Sequence, residues 1–194
     1  FSESGELREG SVHYHLLVSR WYIECWLAAK KYGRKEEPYL ERIASSVLSV
    51  LPIFNMPAGL PLIGDVSPDC SPSYLHCLLD DTKSGWVAEL SPEEQQALLQ
   101  LKKNVKTNNL KTHELNNWRR TNVGLWAAIW HSTLDGWQPL PGHGHQDFSG
   151  FELHYDKIPV FIDLGRRSYG ITGESDKHAN SHNILTIDGM APYP

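Results

Sequence analysis

The chain has 194 residues, a net charge of −5, 40% hydrophobic and 21% charged residues, a composition that excludes a disordered chain. No apolar run approaches the ~20 residues of a membrane helix, and no basic stripe marks a nucleic-acid surface. The length allows one large domain or two small ones.

Ser11 to Tyr32 reads as a helix, with Leu17, Trp21, Cys25 and Ala28 on one apolar face and Val18, Tyr22 and Ala29 beside them. Gly33 stops it. Pro38 opens a second helix whose face carries Leu40, Ile43, Val47, Leu48 and Leu51. Pro52 to Pro72 is a loop, and Ser71 caps a short helix from Pro72 to Leu79. Ser91-Pro92-Glu93-Glu94 is a capping box that starts a helix running to about Asn104. Asn108 to Asn117 is polar and reads as a linker. Strands are expected within Gly124–His131, Phe148–Tyr155, Ile158–Asp163 and Ser181–Asp188, with a hairpin turn at Asp156-Lys157. The reading is therefore α+β: a helical part over 1–117 and an antiparallel β part over 118–194. Both ends read as cut from a longer protein, and no signal peptide is visible. The cysteines Cys25, Cys70 and Cys77 form no paired spacing and leave the redox compartment open.

The chemistry concentrates at His143-Gly144-His145-Gln146-Asp147, just after the turn sequence Leu140-Pro141-Gly142. In extended chain, His143 and His145 share a face. Asp163 closes one apolar run and His182 opens another. His145, Asp163 and His182 make a two-histidine, one-carboxylate set suited to zinc, though other divalent metals take the same ligands. Arg119, Arg120, Arg166 and Arg167 are candidates to bind an anionic chain or to supply a positive field. Glu152 and His154 read as a solvent-facing pair, and His76, His113, His131 and His178 as ordinary histidines.

The run GHGHQDFSGFELHYDKIPVFIDLGRRSYG, followed by SHNILTIDG, resembles the β-sheet domain of heparinase II/III-like polysaccharide lyases. That family carries an HxHxD cluster, a D-x-G at a strand end, a tyrosine soon after, and an HN…DG segment. REGSVHYHLLVSRW resembles the family's E-x-S-x-x-Y-H helix start, and LPLIGDVSPD its Gly-Asp loop. The resemblance implies the C-terminal part of an (α/α) toroid followed by an antiparallel β-sandwich, with the active site between them. It implies β-elimination of an anionic, uronic-acid polysaccharide such as a glycosaminoglycan, in a bacterial periplasmic or secreted setting. By position, His143 becomes catalytic, His145, Asp163 and His182 hold a structural zinc ion, and His13 or His15 faces the substrate carboxylate. The family's catalytic tyrosine precedes the Gly-Asp pair. Here that loop reads Pro52-Ile53-Phe54-Asn55-Met56-Pro57, and Tyr74 in the next segment is the stand-in. The absent loop tyrosine motivates a second reading, a non-catalytic carbohydrate-binding or polysaccharide-assembly protein. A third is a metal-dependent β-sandwich oxygenase or hydrolase working at an open metal site.

Overall fold

The computed structural model describes residues 5–105, 112–114, 117–132, 143–166 and 168–191. The Leu140-Pro141-Gly142 turn, Arg167, much of the polar linker and the last three residues lie outside them. Helix α1 spans Val12–Lys31 and α2 spans Glu37–Val50, running on into a 3₁₀ turn at Leu51–Phe54. A short α3 (Pro72–Leu75) continues as a 3₁₀ turn, a further 3₁₀ turn covers Gly85–Glu89, and α4 spans Pro92–Asn104. α4 starts as expected. The Ser91 hydroxyl accepts from Glu94 N–H at 3.3 Å, and the Glu94 carboxylate accepts from Ser91 N–H at 2.9 Å.

α1 buries Leu17 and Ala29 as expected but otherwise turns a different face inward from the one its sequence points to. Val12, Leu16, Ile23, Trp26 and Leu27 are buried, whereas Trp21, Cys25 and Ala28 are exposed. The helix is apolar on most of its circumference, so periodicity alone does not choose the buried stripe; packing against α2 and α4 does. All three cysteines are free.

The β part is one five-stranded antiparallel meander in the order β1-β2-β3-β4-β5, comprising Thr112–Glu114, Trp118–Val123, Trp126–His131, Phe151–Tyr155 and Ile158–Phe161. β1 falls inside the segment read as a linker, where it pairs with β2 as an edge strand. The stretch expected as a strand at Ser181–Asp188 is not one. Two 3₁₀ turns, Ile171–Lys177 and Ala179–Ser181, lead into it, and only an isolated bridge, Ile187 to Met190, follows.

Side chains close the seam between helices and sheet. Trp118 of β2 meets Phe54 edge-on at 5.1 Å and lies 4.5 Å from the His131 ring. Arg120 donates to the carbonyls of Pro52 and Asn55 at 3.0 and 2.5 Å. Glu152 and His154 are both 2% exposed, which corrects the solvent-facing expectation. Glu152 Oε1 accepts from Leu62 N–H at 3.0 Å and Asp163 N–H at 3.2 Å, and His154 Nδ1 accepts from Ala58 N–H at 3.2 Å. The physical reason is that the loop after α2 has backbone donors without ladder partners, and buried donors require acceptors. The inner face of β4 supplies them.

That loop ends at Gly64, whose φ is +82°. A Cβ there would lie 2.5 Å from the Gly10 carbonyl oxygen and 2.7 Å from Ser11 Cα. Gly64→Ala should therefore destabilise the protein by at least the ~1–3 kcal/mol typical of a strained backbone position. Urea unfolding of the variant checks this. A loss under about 0.5 kcal/mol, the range of ordinary surface changes, would show that the crossing is loose.

Candidate active site at the helix–sheet junction

Ser11 builds the first part of the site. As N-cap of α1 its hydroxyl accepts from Tyr14 N–H at 3.1 Å, while its own proton goes to the Asp65 carbonyl at 2.7 Å. Val12 N–H donates to the Ile63 carbonyl at 3.1 Å, and Asp65 N–H to the His143 carbonyl at 2.9 Å. Three chain segments remote in sequence are thereby locked together. The serine of the E-x-S motif is a clasp as well as a helix cap.

The Asp65 carboxylate is 2% exposed. One oxygen lies 2.8 Å from His145 Nε2 and the other 3.3 Å from His143 Nδ1, with the Arg166 guanidinium at 3.6 Å. Burial pushes the Asp65 carboxyl up. The hydrogen bond and charge of His145, the hydrogen bond of His143 and the charge of Arg166 outweigh it and hold Asp65 below the usual range. An ionised Asp65 accepts from both rings. This assigns N–H to His143 Nδ1 and His145 Nε2 and leaves His143 Nε2 and His145 Nδ1 as acceptors. His143 Nε2 lies 3.6 Å from Glu9, and the ring is stacked on Tyr14 with centroids 3.6 Å apart. The Tyr14 hydroxyl is 3.1 Å from that of Tyr169, whose ring sits 4.1 Å from the Arg166 guanidinium.

Behind His143 is a group that could hold a metal. His145, Asp147 and His182 each offer a ligand atom within 4.8 Å of the other two. His145 Nδ1, Asp147 Oδ2 and His182 Nε2 are buried without hydrogen-bond partners among the described residues. Nitrogen, nitrogen and carboxylate oxygen left bare in one place fit a divalent ion. Asp163, expected among the ligands, instead accepts from His182 Nδ1 at 2.7 Å and from Gly165 N–H at 2.9 Å. That is the geometry of a carboxylate orienting a metal-binding histidine. Burial pushes His182 down, but the hydrogen bond and charge of Asp163 and the charge of Asp147 outweigh it and raise its pKa. Asn183 fixes the segment by donating to the carbonyls of Phe151 and Ile162 at 3.3 and 2.9 Å. His131 Nδ1 lies 3.5 Å from Asp147 Oδ1, so this histidine borders the site.

Other expected residues fall elsewhere. His15 turns into the helical core, 5.1 Å edge-on from Phe54, and accepts from Leu7 N–H at 3.3 Å. His13 is fully buried, with Nδ1 accepting from Ser67 N–H at 2.9 Å. Burial lowers them to about 4 for His13 and about 3 for His15. Both rings are buried, whereas the resemblance has one of them face the substrate carboxylate. Two residues apart on a helix, they also cannot share a face. Tyr74 donates to Glu89 at 2.7 Å and packs 5.9 Å from Arg20. The Glu89 hydrogen bond pushes Tyr74 up to about 12, the wrong direction for a base. Arg119 is exposed and Arg120 is occupied by the loop, so Arg166 is the described arginine at the site.

No protein-family model and no curated protein matches the sequence. Solved structures match its fold. A heparan sulfate lyase HepC from Pedobacter heparinus aligns with a TM-score of 0.66 at 16% identity, covering 96% of this chain and 30% of that one. A mutant of that enzyme gives 0.67, 15%, 97% and 31%. A heparinase III gives 0.62, 16%, 97% and 33%. The chain has the fold of about a third of a heparinase III. At such identity the likeness establishes the α+β fold, and activity has to be argued from the site.

Two expectations follow. Between pH 6.5 and about 4 the unfolded chain protonates His13 and His15 while the folded chain resists. Stability should therefore fall as pH drops through this window, by up to about 1.4 kcal/mol per pH unit for each histidine. His15→Gln should flatten the slope in pH-dependent urea unfolding, and an unchanged slope would remove His15 from the account. Secondly, the purified protein should carry one divalent ion per chain. Asp147→Ala should abolish retention, whereas Asp163→Asn should weaken affinity about 10–100-fold, as for an outer-shell partner. The reverse order in elemental analysis would return Asp163 to the ligand set.

Proposed function

We propose that the protein acts as a polysaccharide lyase, cleaving a uronic-acid-containing glycan by β-elimination. The observation that carries this reading is His143, held at Nδ1 by buried Asp65, stacked on Tyr14 and with Nε2 3.6 Å from Glu9. The heparan sulfate lyases that share the fold support it.

Elimination needs a base at C5, a positive or hydrogen-bonding group at the carboxylate, and a proton for the oxygen leaving C4. His143 Nε2 takes the C5 proton. The C–H electrons form the C4–C5 double bond and the C4–O bond breaks. Asp65 and Glu9 stabilise the imidazolium, and Asp65 keeps the ring in the tautomer that accepts at Nε2. Arg166 supplies positive field for the charge developing on the carboxylate. A zinc ion held by His145, Asp147 and His182, with Asp163 orienting His182, would fix the loop that carries His143. In this role it is structural. The substrate is an anionic polysaccharide of the glycosaminoglycan type. The setting is periplasmic or secreted, a proposal that rests on the resemblance alone.

A panel of uronic-acid glycans tests the reading with the full-length protein. A lyase gives rising ultraviolet absorbance from the conjugated C4–C5 double bond, whereas a hydrolase gives saturated ends. His143→Ala should lower turnover about 10²–10⁴-fold, the usual span for general acid–base groups, with folding retained. Glycan binding without any unsaturated product would favour a carbohydrate-binding role instead.

A further inference from the structure

The proposed elimination lacks an acid for the leaving oxygen, and the loop from Pro52 to Gly64 contains no tyrosine. The structure places another one beside the base. Tyr14, in the first turn of α1, stacks on His143 with rings 11° from parallel and centroids 3.6 Å apart. It is part-exposed, and the contact of its hydroxyl with Tyr169 lies in an exposed position. Ser11 fixes its backbone through the N-cap, so its position is set by the same clasp that sets Asp65.

We propose that Tyr14 is the general acid of the elimination, protonating the oxygen that leaves C4, with Tyr169 as the positioning residue that holds its hydroxyl. This rests on the lyase reading. The step balances as follows. His143 receives the C5 proton, the C4–O bond breaks, and the Tyr14 O–H proton passes to that oxygen. Tyr169, 3.1 Å away and 42% exposed, hydrogen-bonds the Tyr14 phenolate, and the His143 imidazolium then gives up its proton to solvent as the phenolate regains one, so both groups return to their starting states. Tyr169 is suited to staying protonated between turnovers. Burial, the Tyr14 hydrogen bond and the charge of Asp65 all raise its pKa above the usual phenol value. Arg166, against the Tyr169 ring, holds that ring beside Asp65. Tyr74 is a poorer candidate, because its proton is committed to Glu89.

The test compares two substrates of the full-length protein: a glycan that it cleaves, and a uronide carrying 4-nitrophenolate at C4. The nitrophenolate leaves without a proton. Tyr14→Phe keeps the stacked ring and removes only the hydroxyl. It should lose about 10²–10⁴-fold in kcat on the glycan, with KM within about threefold, and less than about threefold on the nitrophenolate. Tyr169→Phe should show the same leaving-group dependence with a smaller loss, and it decides the matter if Tyr14→Phe does not fold. Equal losses on both substrates, or full activity on the glycan, overturn the assignment of Tyr14 while leaving the lyase reading intact. Absence of elimination from either substrate by the unmodified protein overturns the lyase reading itself, and the acid role with it.

Discussion

One buried carboxylate holds this structure's chemistry together. Asp65 receives His145 and His143 through its side chain, Ser11 through its carbonyl, and gives its own N–H to His143. An ionised carboxylate out of water is costly unless its lone pairs are filled. Filling them here draws in the start of α1, the loop after α2 and the segment before β4. The requirement for satisfaction thus does the positioning. Gly64 is part of the same constraint, since only a residue without Cβ lets the loop pass so close to Gly10 and Ser11.

The electrostatic balance at the junction suits a cation. Asp65, Asp147, Glu152 and Asp163 are each 4% exposed or less, and Arg166 is the buried arginine among them. Glu152 is filled by backbone N–H groups, and Asp163 by Gly165 N–H and His182. Asp147 keeps one oxygen bare, beside two bare imidazole nitrogens. A divalent ion would satisfy all three atoms and offset the surplus negative charge at once. The two carboxylates on the histidine rings divide the labour. Asp65 turns His145 Nδ1, and Asp163 turns His182 Nε2, toward the same place.

Some of this was legible in the sequence and some was not. The capping box of α4, the two long helices, the hairpin turn at Asp156-Lys157 and the α+β division follow from local chemistry, which neighbours rarely override. The buried stripe of α1 was illegible because its apolar residues go most of the way round. Ser181–Asp188 has a strand's composition, yet it finds no ladder among the described residues. At the site, the residue types pointed to the cluster, but partner choice did not follow from them. Whether Asp147 or Asp163 faces the histidines depends on Gly165 and Glu152 fixing Asp163 from both sides. Tyr14 and His131 carried no signal of their own, since an aromatic in a helix and a histidine in a strand usually mean core packing. Asp65 did carry one. A glycine–aspartate pair in a loop rich in proline and glycine marks a close backbone approach with an acid beside it.

The junction also links stability to function. The loop after α2 makes few regular backbone bonds of its own, so its shape is imposed by Glu152, His154 and Arg120 from the sheet. Its far end presents Asp65 to His143. Loosening the sheet side should therefore displace the proposed base without touching it, because an acceptor displaced by about 1 Å forfeits much of a positioned proton transfer. Glu152 is the sharpest example. One carboxylate oxygen accepts from Leu62, three residues before Asp65, and from Asp163, the residue that orients His182. A single side chain on β4 thus supports both the histidine that would move protons and the histidine that would hold the metal, and it does so from a buried position.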